Sequence, residues 1–260
     1  MLKKRLIFTL LYDSGNFMLS RNFNLQRVGD VNWLAENYNF SSIAFSIDEL
    51  IILDVSREKR EMSEFIEAVK QITKECFVPV SAGGGVKNLS DATMLLKSGA
   101  DKVVLNSLVF EDSKEVSKIS QKFGAQSIVA SIDLKKEGKK YQIYTSNGEK
   151  KIDNDPKEFL KMLKNFNIGE VFLNSIDKDG TAQGLDLGIL DLVDDNFNLP
   201  LILGGGAGHH NHLFDAFSEE KVDAVSTAHL FNFVGDGLEK CRVGLISKGM
   251  NLAKWDKPEI

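Results

Sequence analysis

The stretches "VPVSAGGGV" (Val78 to Val86) and "LPLILGGGA" (Leu199 to Ala207) decide the fold, because they are two copies of one pattern set 121 residues apart. Each is a short apolar run that opens onto three glycines. The same shift lays "DELIILDVS" (Asp48 to Ser56) on "GEVFLNSID" (Gly169 to Asp177), and a shift of 122 lays "DKVVLNS" (Asp101 to Ser107) on "DAVSTAH" (Asp223 to His229). Self-similarity at a fixed offset is read before any motif, and here it makes the chain two tandem halves. Working outward, eight apolar runs stand out: "RLIFTLL", "LIILDV", "VPVSAGG", "KVVLNS", "SIVASID", "EVFLNSI", "LPLILGG" and "DAVSTAHLF". Most are separated by helix-period stretches, among them "VNWLAENYNF" behind Asp30, "MSEFIEAVKQITKECF", and "LSDATMLLKSGA" behind Asn88. Continuous apolar strands alternating with helices indicate βαβ units and a parallel sheet. Eight of them in 260 residues predict an α/β fold, a (β/α)8 barrel built from two half-barrels, with residues 1–260 as one domain. A doubly wound open sheet is the alternative, and it ordinarily uses fewer strands.

Bulk composition narrows the class. Apolar residues make up 43% and charged residues 27%, the balance of a globular chain rather than a disordered or membrane one. A net charge of -5 leaves no basic footprint for nucleic acid. No apolar run approaches the roughly 18 residues of a membrane span. The opening "MLKKRLIFTLLYD" has a basic start, but its apolar run is short and Asp13 interrupts it, so it reads as the first strand and not a signal peptide. Cys76 and Cys241 form no CxxC or disulfide framework, which suits a reducing cytoplasm.

The loops "AGGGVKNLSDA" and "LGGGAGHHNH" each follow a strand and precede a helix. Glycines let the backbone approach a ligand and turn N–H groups toward an anion at a helix N-terminus. Neither loop is a GxGxxG or Walker fingerprint, and each could be a tight turn alone. Two at matching places favour two phosphate sites, hence an elongated ligand phosphorylated at both ends. At the strand-end rim, Asp133 closes "SIVASID", and Asp177, Asp179 and Gly180 cluster in "SIDKDGT". Turn-capping and chemistry both stay open for Asp179; for Asp133, followed by the Lys-rich loop "LKKEGKK", chemistry is the better reading. Arg5, Glu49, Lys102 and Glu170 fall at strand beginnings, the opposite rim. Surface salt bridges are the plain account, and a ring of alternating charge the sharper one. His209, His210 and His212, with Asp215 in reach, read as a solvated helix start; neither a metal nor a cofactor is expected.

One asymmetry runs through the repeat. The shift of 122 lays Leu11, in "RLIFTLLYDSG", on Asp133, in "SIVASIDLKK". One half keeps a carboxylate where the other has a hydrocarbon.

Together "KRLI", "DELIILDVS", "VPVSAGGGVKNLSDA", "SGADKVVLNS", "FGAQSIVASID", "NSIDKDGTAQGLDL" and "LGGGAG" resemble the cyclase subunit of imidazole glycerol phosphate synthase, HisF, over nearly the whole chain. The resemblance implies a barrel that receives ammonia from a HisH-type glutaminase docked on the strand-start face. Ammonia then crosses to the strand-end face and reacts with a bis-phosphate ribotide, giving imidazole glycerol phosphate and aminoimidazole carboxamide ribotide for histidine biosynthesis. By this resemblance Arg5, Glu49, Lys102 and Glu170 match the ammonia gate, Asp133 one of two catalytic aspartates, and Asp54 and Asp179 active-site carboxylates. Gly84, Gly85, Asn106 and Ser107 match one phosphate site, and Gly180, Gly205 and Gly206 part of the other, with Asn174 where the family has Thr.

The departures fall on the strand-end rim. The family's first catalytic aspartate falls at Leu11, a lysine of the next loop at Leu19, and phosphate-site serines at Gly204 and near His229. Leu cannot transfer a proton, and general acid–base help is typically worth about 10²–10⁴-fold. Leu11 also resembles a branch of the family found with surface-polysaccharide genes, which implies ammonia delivery to a separate N-acetyl-sugar amidotransferase. The leading expectation is therefore an ammonia-conducting subunit with impaired cyclase activity. The alternative is a working cyclase in which another group, nearest Asp13, replaces the lost aspartate. An isomerase of the sister half-barrel family is a third reading, disfavoured by the gate charges.

Overall fold

The computed structural model describes residues 3–38, 43, 45–229 and 236–254. The last two residues of "DAVSTAHLF" and of "VNWLAENYNF" lie outside the described residues. Twelve strands form one sheet: β1 Arg5–Asp13, β2 Asn16–Arg21, β3 Asn24–Gly29, β4 Glu49–Asp54, β5 Val80–Gly83, β6 Lys102–Leu105, β7 Ile128–Glu137, β8 Lys140–Thr145, β9 Lys150–Ile152, β10 Glu170–Ser175, β11 Leu201–Gly204 and β12 Ala224–Thr227. Eight of these, in the order β1-β4-β5-β6-β7-β10-β11-β12, are all parallel, and β12 pairs with β1 to close the barrel. The expected (β/α)8 architecture is what the chain adopts. Each half consists of one long strand followed by three short ones, as its internal repeat requires.

Helices lie between successive strands because their sequences start and stop there. Val31–Asn37 begins behind Asp30, whose side chain accepts the Trp33 N–H; Leu89–Lys97 begins behind Asn88, which accepts from Asp91 N–H. Met62–Glu75 turns Phe65, Ala68, Val69 and Ile72 onto the sheet at three- and four-residue spacing. Strand residues alternate between two environments. Leu6, Phe8 and Leu10 of β1, with Val171 and Leu173 of β10, join the core between sheet and helices. Ile7 and Phe172 instead join Ile51, Val104, Val129, Ile202 and Ala224 in a separate cluster inside the barrel.

The ends of the two long strands differ from expectation. β1 does not stop at Leu11, and "LKKEGKK" is not a loop. Both strands run past the barrel into antiparallel ribbons, β1-β2-β3 and β7-β8-β9. Leu11 pairs in parallel with Leu53 and antiparallel with Met18; its mate Asp133 pairs with Asn174 and Tyr144. Lys135, Lys136 and Glu137 are exposed in the second ribbon, so they lack the apolar alternation that marks a half-buried strand.

At the strand-start end one buried cation ties three segments together. Arg242, on helix Gly237–Ser247, is 3% exposed and donates to both Asp48 carboxylate oxygens at 2.8 and 3.0 Å, and to the Ala253 carbonyl. Asp48 also accepts the Leu6 N–H at 2.7 Å. Removing one partner of such a pair strands a buried charge, so Arg242→Ala should lose about 3–5 kcal/mol of stability. The urea midpoint would show this; an unchanged midpoint would mean that the clamp contributes nothing.

Candidate functional site

Arg5, Glu49, Lys102 and Glu170 are the first residues of β1, β4, β6 and β10, and the barrel brings them together. Arg5 meets Glu49 at 2.5 Å and Glu170 at 3.0 Å; Lys102 meets Glu49 at 3.1 Å and Glu170 at 2.6 Å. These four contacts close a ring in which each cation bridges both carboxylates. The side chains are only 8–23% exposed, so these are not the surface pairs that composition alone suggested. Burial works against the Arg5 charge, but Glu49 and Glu170 more than offset it and raise its pKa.

Above the ring, toward the strand ends, lies the apolar layer containing Ile7, Ile51, Val104 and Phe172. Beyond it opens a cavity of about 860 Å³. Thr9, Leu53, Val104, Ser131, Phe172 and Ser226 line it from the barrel strands. One cavity is lined by Asp54, Asp133, Asp179, Gly84, Gly85, Asn106, Ser107, Asn174, Gly180, Gly205 and Gly206 of the strand-end face, with Leu11 among them. Leu19 does not; it lies on β2 and packs against the outer core.

Asp133 is held by two amides. Asn174 donates to one oxygen at 3.3 Å and Asn106 to the other at 3.1 Å. Burial is the strongest influence on this carboxyl and pushes its pKa up to about 7; the Asn174 hydrogen bond opposes that, Asp179 adds to it, and Asn106 opposes it. A carboxyl in that range can both take and give a proton at neutral pH. Facing it across the repeat, Leu11 pairs with Leu53, and the mate of Asn106 is Ala228. The polar trio Asp133, Asn174 and Asn106 thus has the apolar counterparts Leu11, Leu53 and Ala228.

Asp54 is buried, accepts the Ser56 N–H at 2.9 Å and lies 3.8 Å from Arg60. Gly84 (φ +100°) stacks on the Asp54 backbone so closely that a Cβ would overlap its carbonyl oxygen. Gly205 (φ +89°) repeats this on Ser175, where a Cβ would lie 2.5 Å from the carbonyl oxygen. Packing alone therefore demands these two glycines.

Asp179 has a partner that sequence reading missed. Its carboxylate accepts from the Ser20 hydroxyl and, at 3.0 Å, from the Phe23 N–H, and its carbonyl accepts the Asn22 N–H at 2.9 Å. These bonds hold the β2–β3 hairpin over the cavity, where Ser20, Phe23 and Leu25 join the lining. Arg57 secures the hairpin from the other side through the Phe23 carbonyl. Burial raises the Asp179 pKa against these bonds. The only sequence signal for the hairpin is "NFMLSRNFNLQRV", two alternating runs around Arg21, Asn22 and Phe23.

Other candidates fall elsewhere. Asp13 lies at the end of β1, accepts the Ser14 hydroxyl at 2.9 Å and is not among the residues lining the cavity. Asp177 accepts the Lys136 N–H at 2.6 Å. His209 caps helix His210–Phe217, accepting from Asn211 N–H, and His212 accepts from Gly208 N–H. Among the described residues no cluster of three His, Cys, Asp or Glu is placed to hold a metal ion, and no helix is long and apolar enough to cross a membrane.

The Asp133 environment has a measurable consequence. Folded, it keeps its proton up to about pH 7, whereas the unfolded carboxyl ionises near its ordinary 3.8. The folded state therefore binds the extra proton, and stability falls as pH rises between these values. Asp133→Asn removes that decline. Its stability relative to the unmodified chain should climb by at most about 4 kcal/mol between pH 4 and pH 8, read from urea midpoints. A difference that is flat with pH would show that folding leaves the Asp133 pKa where it stands in the unfolded chain.

Comparison of the sequence with known proteins places the chain in a family. The family model described as "Histidine biosynthesis protein" matches residues 20–235. A Parasynechococcus marenigrum protein, provisionally named imidazole glycerol phosphate synthase subunit hisF2, is 44% identical over 98% of this chain and 95% of its own. The HisF subunit of Dehalococcoides mccartyi strain BAV1 is 36% identical, and that of Chlorobium limicola 33%, each over 96% of this chain and 98% of the relative. The chain belongs to the histidine biosynthesis protein family, as a HisF-like imidazole glycerol phosphate synthase subunit.

Proposed function

We propose that this chain pairs with a HisH-type glutaminase at its strand-start rim and conducts ammonia through the barrel. On this reading its cyclase activity is impaired and the ammonia serves amidation of an N-acetyl sugar in surface-polysaccharide biosynthesis, through a separate amidotransferase. The observation that carries the reading is the contrast between the two rims. Arg5, Glu49, Lys102 and Glu170 form a complete ion ring, while Leu11 and Leu53 fill the positions mated to Asp133 and Asn174.

The physical account is short. Ammonia is small and uncharged, so it can cross the layer of Ile7, Ile51, Val104 and Phe172 that an ammonium ion, with its hydration to lose, cannot. The ring is the step that opens: one cation must leave one carboxylate to admit a molecule. At the far end, cyclisation calls for proton transfers on two sides of the bound ribotide. Asp133 supplies one group poised near neutrality, and Leu11 supplies none. Leu53 and Ala228 add no hydroxyl or amide in its place.

A cyclase assay with the bis-phosphate ribotide and excess ammonium salt tests this without a glutaminase. Turnover should fall at least about 10²-fold below that of the Dehalococcoides relative assayed in parallel, and Leu11→Asp should recover part of it. Turnover equal to the relative's would end the conduit-only reading in favour of a working cyclase. Thermal melting of Leu11→Asp separates a variant that fails to fold from one that folds without recovering.

A further inference from the structure

Past the barrel, the second long strand carries charges that the conduit itself does not use. Residues 135–151 hold six lysines, at 135, 136, 139, 140, 150 and 151, against two glutamates, although the whole chain has 32 Lys and Arg against 37 Asp and Glu. All six are exposed. They lie on the ribbon β7-β8-β9, which continues from Asp133 beyond the strand-end rim. Alternation sorts the ribbon residues between two faces. Asp133 pairs with Tyr144, Tyr144 with Lys151, and Lys135 with Gln142, so Lys135, Glu137, Lys140, Tyr144 and Lys151 share the face of the Asp133 side chain and overlook the cavity mouth. Leu134, Ile143 and Thr145 are on the opposite face and fully buried, packed toward helix Pro156–Leu163. Only the lysine face is open.

That face is held in place and is basic. Tyr141 donates to Asp186 at 2.9 Å and the Lys136 N–H to Asp177 at 2.6 Å, which ties the ribbon to the loop after β10. Lys135 lies over the Tyr144 ring, 5.7 Å from its centroid. Glu137, the one carboxylate of the ribbon on this face, is taken up by Lys151 at 2.7 Å and by the Tyr144 hydroxyl. Lys139 and Lys140 carry the charge to the tip. At its other end the ribbon reaches the cavity, where Ser146, Asn147 and Glu149 join the lining and Asn147 donates to the Val55 carbonyl at 3.1 Å. Acids there are largely paired: Glu149 with Arg57 at 2.8 Å, and Glu111 with Lys150 at 3.3 Å. Glu58 and Asp91 also stand at the mouth, among Lys59, Arg60 and Lys87. A body seated on the lysine face would therefore lie against the cavity mouth.

We propose that this lysine face docks an acidic surface of the enzyme that accepts the ammonia. Such docking presupposes that the chain conducts ammonia, as proposed above. Ammonia released into neutral water takes up a proton, and the resulting ammonium ion must shed its hydration before it enters another apolar passage. An acceptor seated at the strand-end mouth removes that step. The lysines select for opposite charge, by speeding encounter with an acidic surface and by repelling a basic one. Two other occupants fit less well. Nucleic acid binds by stacking on aromatic rings, and the Tyr144 and Tyr141 rings already lie under Lys135 and Lys136. A membrane surface calls for apolar side chains at the point of entry, and the ribbon tip is Glu137, Gly138, Lys139 and Lys140.

Calorimetric titration of the full chain with the N-acetyl-sugar amidotransferase of the same genome tests this. The two should bind in about 50 mM NaCl, and at least about tenfold more weakly in about 300 mM. The triple variant Lys135→Glu, Lys140→Glu and Lys151→Glu should weaken low-salt binding at least about tenfold. A control triple on exposed helix positions, Lys74→Glu, Lys97→Glu and Lys114→Glu, should change it by less than about twofold. Should melting show the first triple unfolded, Lys139→Glu with Lys140→Glu at the tip takes its place, with a loss of about threefold expected. No binding overturns the docking surface, as does binding indifferent to the ribbon variants. So does ribbon-dependent binding of phosphatidylglycerol vesicles or of single-stranded RNA in place of the enzyme. The titration contains no glutaminase, ammonia or ribotide, so the two readings fail separately. No binding, with the sugar still amidated from glutamine in the mixed system, removes the docking surface alone; cyclase turnover equal to the relative's removes the ammonia reading and the docking surface with it.

Discussion

The constraint on which the structure depends is the two-residue period of a strand closed into a barrel. Alternate residues face the axis or the helices, so one strand places a side chain at each depth of the interior. β1 contributes Arg5 to the ion ring, Ile7 to the apolar layer, and Thr9 and Leu11 to the cavity. β10 contributes Glu170, Phe172 and Asn174 in the same order. Ring, layer and mouth are one stack, and the parallel register between neighbouring strands keeps the levels aligned. The Arg242–Asp48 clamp holds the last helix to the start of β1 and β4, below the lowest level.

Much of this was legible in the sequence, for reasons specific to its parts. The repeat of "VPVSAGGGV" in "LPLILGGGA" carried the barrel, because buried strands read as continuous apolar runs and glycines mark where they end. The four rim charges were visible as first residues of strands, but their closure into a ring was not. It depends on strand order around the barrel, which brings residues 5, 49, 102 and 170 together. The ribbons were missed because exposed strands carry no apolar stripe: Lys135 and Lys136 look like loop residues until their pairing with Gln142 and Tyr141 is seen.

The two halves differ at both rims. At the strand-start rim the first half gives Arg5, Glu49 and Lys102 and the second half gives Glu170, and the ring still balances two cations against two carboxylates. At the strand-end rim the second half has Asp133 and Asn174, and the first half has Leu11 and Leu53 in the matching places. The cations that line the cavity, Arg57, Lys59, Arg60 and Lys87, all come from the first half.

The central claim is that delivery of ammonia is kept and cyclisation is not. The most direct measurement is the stoichiometry of the complex with its glutaminase: glutamine hydrolysed against bis-phosphate ribotide consumed, followed together in one reaction. The account predicts that glutamine is hydrolysed while the ribotide persists. Consumption of one ribotide for each glutamine would contradict it and return the chain to histidine biosynthesis as a working cyclase.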